Sequence, residues 1–129
     1  MKTLTIKQLD KKDEEIASTL ISLGMSRPVA RMLSYLKNGN EVTSMELERG
    51  TGLRQPEVSI AMRELNERGW ISEREEKKPG KGRPNKVYSL KIGFDGIVDR
   101  LEEQQKKVVD EMQTSIKRLK ALGNVTPIG

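Results

Sequence analysis

The chain of 129 residues contains no cysteine and no histidine. Disulfides, thiolate nucleophiles, histidine-based catalytic triads and the usual zinc ligand sets are therefore excluded. Aromatic residues are scarce, with one tryptophan, two tyrosines and one phenylalanine, so stacking on unpaired bases is not expected. No apolar run approaches the roughly 20 residues that cross a membrane. We expect a cytoplasmic protein with no membrane partner.

Charge is abundant, and its positive excess lies in one short segment. The chain has 24 Lys and Arg against 19 Asp and Glu, a net charge of +5. Residues 77–86 contain five basic side chains and no acidic one, and Gly and Pro interrupt them. Positive charge focused on a protruding loop indicates a polyanion partner, most simply a nucleic-acid backbone. The alternative is a solvated basic loop without a partner.

The apolar spacing predicts a mainly α fold with a small β-hairpin. We expect a first helix over residues 10–23 and a second between Ser26 and Gly39. Ser44 is the expected N-cap of a third helix over residues 45–50, and Pro56 is the expected first residue of a fourth. Strands over residues 70–74 and 86–91 then flank the basic loop as a long hairpin, and residues 41–43 can add a short edge strand.

The third and fourth helices have the spacing of a helix-turn-helix. The positions that would pack the two helices and form the turn between them are Leu47, Gly52, Leu53, Val58 and Leu65. The outward face of the fourth helix then carries Arg54, Gln55, Glu57, Ser59, Ile60 and Arg63. Arginine and glutamine can form paired hydrogen bonds with guanine and adenine edges. Thr43 and Ser44 are expected to contact a phosphate at the start of the third helix.

Residues 26–92 resemble the winged helix-turn-helix domain of the MarR, ArsR and TrmB-like transcriptional regulators. The resemblance is carried by residues 51–53, 55–59, 65–71 and 82–90. It implies a homodimer on operator DNA, with the second helix of the motif in the major groove and the wing on the backbone or minor groove. It places base reading on Arg54, Gln55, Ser59 and Arg63, and wing contacts on Lys81, Arg83 and Lys86.

Three local features refine this expectation. Gln55 occupies the place where many relatives have a capping serine, and it caps more weakly. Glu57 either accepts a hydrogen bond from cytosine or complements the positive end of the helix, and we favour the second role. Residues 82–84 are similar to the core of an AT-hook, which would direct Arg83 into an A·T minor groove. Lys77 and Lys78 complete the basic wing.

Residues 94–122 read as one amphipathic helix with a heptad repeat. Its apolar stripe follows spacings of three and four and contains two polar positions, Gln105 and Ser115. We expect it to form a homodimer through Val98, Leu101, Gln105, Val108, Met112, Leu119 and Leu122. The alternative is that the stripe packs within one chain against residues 13–23.

The expected organisation is a DNA-binding domain over residues 1–92, with its core at 26–92, a dimerisation helix at 94–122 and a loose tail at 123–129. The expected function is regulation of transcription by a sequence-specific, nucleoid-associated protein that binds double-stranded DNA without a cofactor. One alternative is an architectural protein of low sequence specificity. Another is a protein-interaction module. An enzyme is not expected, because the carboxylates have ion-pair spacing and no phosphate-binding glycine loop is present.

Overall fold

The computed structural model describes residues 7–76 and 85–123. The helices are α1 (Lys11–Ser22), α2 (Arg27–Leu36), α3 (Ser44–Thr51), α4 (Gln55–Glu67) and α5 (Phe94–Leu122), and the strands are β1 (Val42–Thr43), β2 (Ile71–Glu76) and β3 (Asn85–Leu90). The chain divides into one unit that ends at Phe94 and another that begins at Asp95, and each is described by itself. The predicted class, mainly α with a small hairpin and a long C-terminal helix, is confirmed.

Two capping boxes define where α1 and α3 begin. At α1, Asp13 N–H donates to Asp10 Oδ1 at 2.8 Å, and Asp10 N–H donates to Asp13 Oδ2 at 3.0 Å. At α3 the reciprocal pair is Thr43 with Glu46. The prediction that Ser44 is the N-cap of α3 was therefore wrong by one residue. A carboxylate three residues after the cap is needed to close the box, and Glu46 stands in that relation to Thr43.

The core of the first unit surrounds α2, which packs against α1, α3 and α4. Its apolar face is buried as predicted, and Met32, Leu33 and Leu36 are almost fully enclosed. Leu47 and Leu65 reach the same core from α3 and α4. Burying side chains of this size stabilises a fold by about 1.5–3 kcal/mol each before conformational entropy is counted. The helix-turn-helix is thus held rigidly by α2.

An ion pair and a bidentate arginine fasten α1 to this core. Lys37 Nζ pairs with the carboxylate of Asp13, which is buried. Burial alone would raise the pKa of Asp13, but hydrogen bonds from Lys37 and from the Asp10 backbone, with the Lys37 charge, lower it overall. Arg31 donates from Nη1 and Nη2 to the two oxygens of Glu14 at 2.5 and 3.2 Å, and this contact lowers the pKa of Glu14.

The three strands form an antiparallel sheet in the order β1-β3-β2. Tyr88 lies opposite Val42 and Glu73, and Val87 lies opposite Thr43 and Arg74, so the prediction that Val87 and Tyr88 face opposite sides is confirmed. Both strands of the predicted hairpin reach further toward the basic loop than expected. The first strand ends at Glu76 rather than at residue 74, and the second begins at Asn85 rather than at residue 86.

The close contact between α3 and α2 leaves no room for a side chain at Gly50. A Cβ added to Gly50 would overlap the ring edge of Tyr35, with Tyr35 Oη only 2.7 Å away. The carbonyl of Gly50 also accepts a hydrogen bond of 3.0 Å from Leu9 N–H. Gly50 therefore lets α3 approach α2 and ties the segment before α1 to the same place.

Candidate nucleic-acid interface

The turn between α3 and α4 is fixed by its left-handed glycine and by hydrogen bonds within α3, within the turn and from α2. Gly52 has φ +74°, the left-handed conformation that the predicted sharp turn requires. The buried Thr51 hydroxyl bonds to the Leu47 carbonyl and accepts from Leu53 N–H at 3.2 Å. Arg31 Nε donates to the Thr51 carbonyl at 2.8 Å. The direction in which α4 leaves this turn is therefore determined by buried contacts.

The first turn of α4 is stabilised by Glu57. Arg54 is the N-cap, and its N–H donates to Glu57 Oε1 at 3.1 Å. Glu57 Oε2 lies 3.7 Å from Arg27 Nη1 at the start of α2. The prediction that Gln55 fills the cap position was wrong, because Gln55 is already the first helical residue and a carboxylate supplies the acceptor instead. Of the two roles considered for Glu57, the structure shows the one at the helix N-terminus.

One side of α4 borders an open groove whose opposite wall comes from α3 and β3. Gln55, Ser59 and Arg63 are spaced by four residues, so they lie along one stripe of the helix and line this groove. Gln55 Nε2 lies 3.5 Å from Ser59 Oγ. The groove is lined by Ser44, Gln55, Val58, Ser59, Met62, Arg63, Asn66, Glu67 and Tyr88. Three of the four residues assigned to base reading thus share one concave surface, while Arg54 is exposed at the N-cap outside the lining.

The far wall of this groove contains two hydroxyl groups from different elements. Ser44 Oγ, in the first turn of α3, lies 3.5 Å from Tyr88 Oη on β3. A bond of this length is weak, so both protons remain available to an oxygen placed between them. Thr43 differs from Ser44 because its hydroxyl accepts from Glu46 N–H at 3.2 Å and its own N–H donates to Glu46 Oε1 at 3.0 Å.

Several groove residues were missed from the sequence. Asn66 and Glu67 lie three and four residues after Arg63, so the i+3 and i+4 spacing of one helix face would have found both. Glu67 places a negative charge at the far end of the groove. Tyr88 had no comparable signal, because its position depends on the pairing of β3 with β1.

The described part of the wing is an acidic stem. Arg74 on β2 binds Glu41 through Nε–Oε2 and Nη2–Oε1 distances of 2.5 and 2.6 Å, reaching across the central strand β3, and these hydrogen bonds lower the pKa of Glu41. Lys86 is exposed, but its Nζ lies 3.6 Å from Glu73 Oε2. The other predicted wing residues, Lys77, Lys78, Lys81 and Arg83, lie outside the described residues.

The helix α5 has an exposed apolar stripe. Among the predicted interface positions, Leu101 is half-buried and Gln105 is exposed. The remaining ones are between 41 and 72 % exposed, and they are Val98, Val108, Met112, Leu119 and Leu122. Isolated apolar side chains are common on protein surfaces, whereas these positions form a row along one helix face.

Two kinds of feature are absent from residues 7–76 and 85–123. No helix there is both long and apolar enough to cross a membrane. The same residues contain no group of three or more acidic side chains placed to hold a metal ion.

The arrangement of α3, a tight turn, α4 and a β2–β3 hairpin defines a winged helix-turn-helix protein. The sequence model of the MarR family matches residues 23–83, which extend from the end of α1 into the wing. The resemblance inferred from the sequence is therefore confirmed, and the chain has a fold found in a class of transcriptional regulators.

Solved structures agree on the fold. A possible transcriptional regulator from Methanosarcina mazei Go1 is 13 % identical, with a TM-score of 0.63 over 88 % of this chain and 98 % of that one. A MarR-family transcriptional regulator from Silicibacter pomeroyi is 19 % identical, with a TM-score of 0.51 over 90 % of this chain and 84 % of the other. Identities this low show the fold alone. No curated protein matches the sequence.

Proposed function

We propose that this protein is a sequence-specific regulator of transcription that binds double-stranded DNA with α4 in the major groove. The observation that carries the proposal is the stripe of Gln55, Ser59 and Arg63 along a groove open to solvent. The buried Thr51 and Arg31 contacts hold the helix that bears this stripe in a fixed direction. Side chains on a rigid helix can discriminate bases because their positions do not adjust to each sequence.

The side chains of the stripe match the donor and acceptor pattern of base edges. Arg63 can donate two hydrogen bonds to guanine O6 and N7, and Gln55 can form a pair with adenine. Ser59 can bond to a base or to a phosphate, and its Oγ lies 3.5 Å from the Gln55 amide nitrogen. Arg54, next to the groove, supplies a further donor. Glu57 is occupied by Arg54 N–H and lies near Arg27, which favours a capping role over cytosine recognition.

Phosphate contacts would position the duplex against this stripe. Ser44 and Tyr88 present hydroxyl groups on the far wall of the groove, and neutral hydroxyls are common phosphate donors. Thr43 supports this wall by capping α3. The basic wing residues Lys77, Lys78, Lys81, Arg83 and Lys86 would bind the backbone or minor groove beyond the acidic stem. Lys86 must then exchange Glu73 for a phosphate.

The proposed active form is a nucleoid-associated homodimer joined through α5. The exposed row that includes Met112, at 59 %, and Leu119, at 68 %, supports this proposal because water contact with such a surface is unfavourable. A two-fold dimer reads a pseudo-palindromic site.

The experiment is selection of binding sites from random duplex, followed by affinity measurement on the selected and a shuffled duplex at fixed salt. A ratio of about 10³ or more is expected for a regulator. A ratio near one would instead favour an architectural protein of low specificity, and failure of any duplex to bind in dilute salt would overturn both. Repeating the titration with Lys12→Ala, an exposed cation on α1, controls for general loss of charge.

A further inference from the structure

The stripe of α5 distinguishes between two ways of pairing with a second copy. We propose that two α5 helices pair antiparallel, with Val98 of one chain level with Leu122 of the other. This inference rests on the homodimer proposed above and adds its orientation. In this register the outermost stripe positions pair first and the others follow inward. The pairs between the two chains are Val98 with Leu122, Leu101 with Leu119, Gln105 with Ser115, and Val108 with Met112. Two-fold symmetry forms each of these four layers twice.

The polar positions are the first argument for this register. Gln105 falls opposite Ser115 of the partner subunit, so each polar layer contains one long and one short side chain that can hydrogen-bond to each other. A parallel pair would instead place two glutamines in one layer and two serines in another. One layer would be crowded and the other underfilled, and close packing of both volumes is less favourable.

The distribution of charge is the second argument. Residues 95–103 contain four carboxylates, Asp95, Asp99, Glu102 and Glu103, and one base, Arg100. Residues 117–120 contain Lys117, Arg118 and Lys120 and no acid. In the antiparallel register these oppositely charged ends lie side by side, within about one Debye length at physiological salt. In a parallel pair, each charged residue would lie beside the same residue of the other chain, so like charges would meet along the whole helix. In the antiparallel pair, a residue lies beside its own copy only near Asp110 and Glu111.

This orientation has a consequence for DNA binding. The helix has 29 residues and is about 43 Å long. Antiparallel pairing puts the two copies of Phe94 at opposite ends, about 48 Å apart along the helix axis. The DNA-binding units of the two copies are thus joined to opposite ends of the pair, whereas parallel pairing would join both to the same end.

Disulfide trapping tests the orientation, because the natural chain has no cysteine. We expect Leu101→Cys alone and Leu119→Cys alone to give no covalent dimer under mild oxidation. An equal mixture of the two variants should give one. Self-crosslinking of either single variant would show a parallel pair and overturn the inference, as would the absence of crosslinks in all three samples.

Spin-label distances provide a second test that leaves the stripe intact. Labels on Lys107→Cys and Lys120→Cys should lie about 9 Å and about 30 Å apart along the helix axis, because axial separation grows with distance from the two-fold axis near Asp110. Equal distances at the two positions, or no dipolar coupling at micromolar protein, would contradict antiparallel pairing. Duplex binding by the wild-type chain is measured separately, so DNA binding with a parallel or absent α5 pair would refute only this inference.

Discussion

At the residue scale, the proposed interface depends on a few side chains whose surroundings fix their roles. Arg63 lines the groove, and no described carboxylate lies within ion-pair distance of it. Arg31 and Arg74, by contrast, are bound to carboxylates and hold elements together. An arginine count therefore overstates the cations available to DNA, and the groove position of Arg63 distinguishes it from the structural arginines.

Replacing Arg63 by Ala should weaken binding to the selected duplex and reduce discrimination at one base pair by about 1–3 kcal/mol, because a paired hydrogen bond to a base edge is removed. Fluorescence anisotropy with duplexes that carry each of the four base pairs at that position measures this effect. Lys12→Ala should leave the discrimination unchanged. If Arg63→Ala weakens all sequences equally, Arg63 contacts phosphate rather than a base.

Asp13→Asn should make folding less dependent on pH. The pKa of Asp13 in the folded chain lies below its ordinary value of 3.8, so its contribution to stability is complete above that value and is lost as pH falls through the folded-state pKa. We expect the substitution to cost about 1–3 kcal/mol at pH 7, because Lys37 loses its charged partner. Urea unfolding of both proteins at pH 7 and pH 3 should show the difference shrinking at low pH. An unchanged difference would show that Asp13 does not titrate as described.

At the element scale, packing against α2 and α3 fixes the position of α4, which forms one wall of the groove. The Gly50 position lets α3 lie against Tyr35 of α2. A side chain there would overlap the Tyr35 ring, so either that ring or the two helices would have to shift.

Gly50→Ala should destabilise the fold by about 1–3 kcal/mol, as overpacking commonly does. Gly93→Ala is the matched control, because a Cβ at Gly93 meets no atom within 4 Å and its φ is not positive. Thermal unfolding followed by circular dichroism measures both. Equal stability of the two variants would mean that Tyr35 moves aside without cost.

The wing is the second element that the proposal requires. Replacing Lys77, Lys78, Lys81 and Arg83 by Gln should lower the slope of log affinity against log salt by roughly 0.9 for each DNA phosphate that the wing no longer neutralises. Titrations at several salt concentrations measure the slope, and Lys11→Gln with Lys12→Gln provides the control on α1. An unchanged slope would show that the wing does not bind the DNA backbone.

The sequence predicts elements better than it predicts contacts between them. The sequence located α5 at residues 94–122 from its apolar spacing and the glycines at each end, and it identified Met32, Leu33 and Leu36 as one buried face, because these signals are local. The predicted N-caps of α3 and α4 were each one residue too late. Glu46 and Glu57 accept hydrogen bonds from the N–H groups three residues before them, and this makes Thr43 and Arg54 the caps. Tyr88 was missed because strand pairing places it in the groove. The Lys86–Glu73 pair was equally hidden, since it depends on the register of β2 and β3.

At the scale of the whole molecule, the central claim is that one face of the first unit receives the duplex. That face contains the α4 stripe and the hydroxyls of Ser44 and Tyr88. The exposed face of α1 belongs to the same unit but plays no part in this contact. The claim is therefore spatial, and a map of the bound surface tests it most directly.

The measurement is the change in backbone amide NMR shifts when a selected duplex is added to the isotope-labelled protein. The account predicts that the largest changes lie at residues 44, 55–67 and 86–88, while residues 11–22 of α1 change little. Changes concentrated on α1, or spread evenly over the chain, would contradict the account.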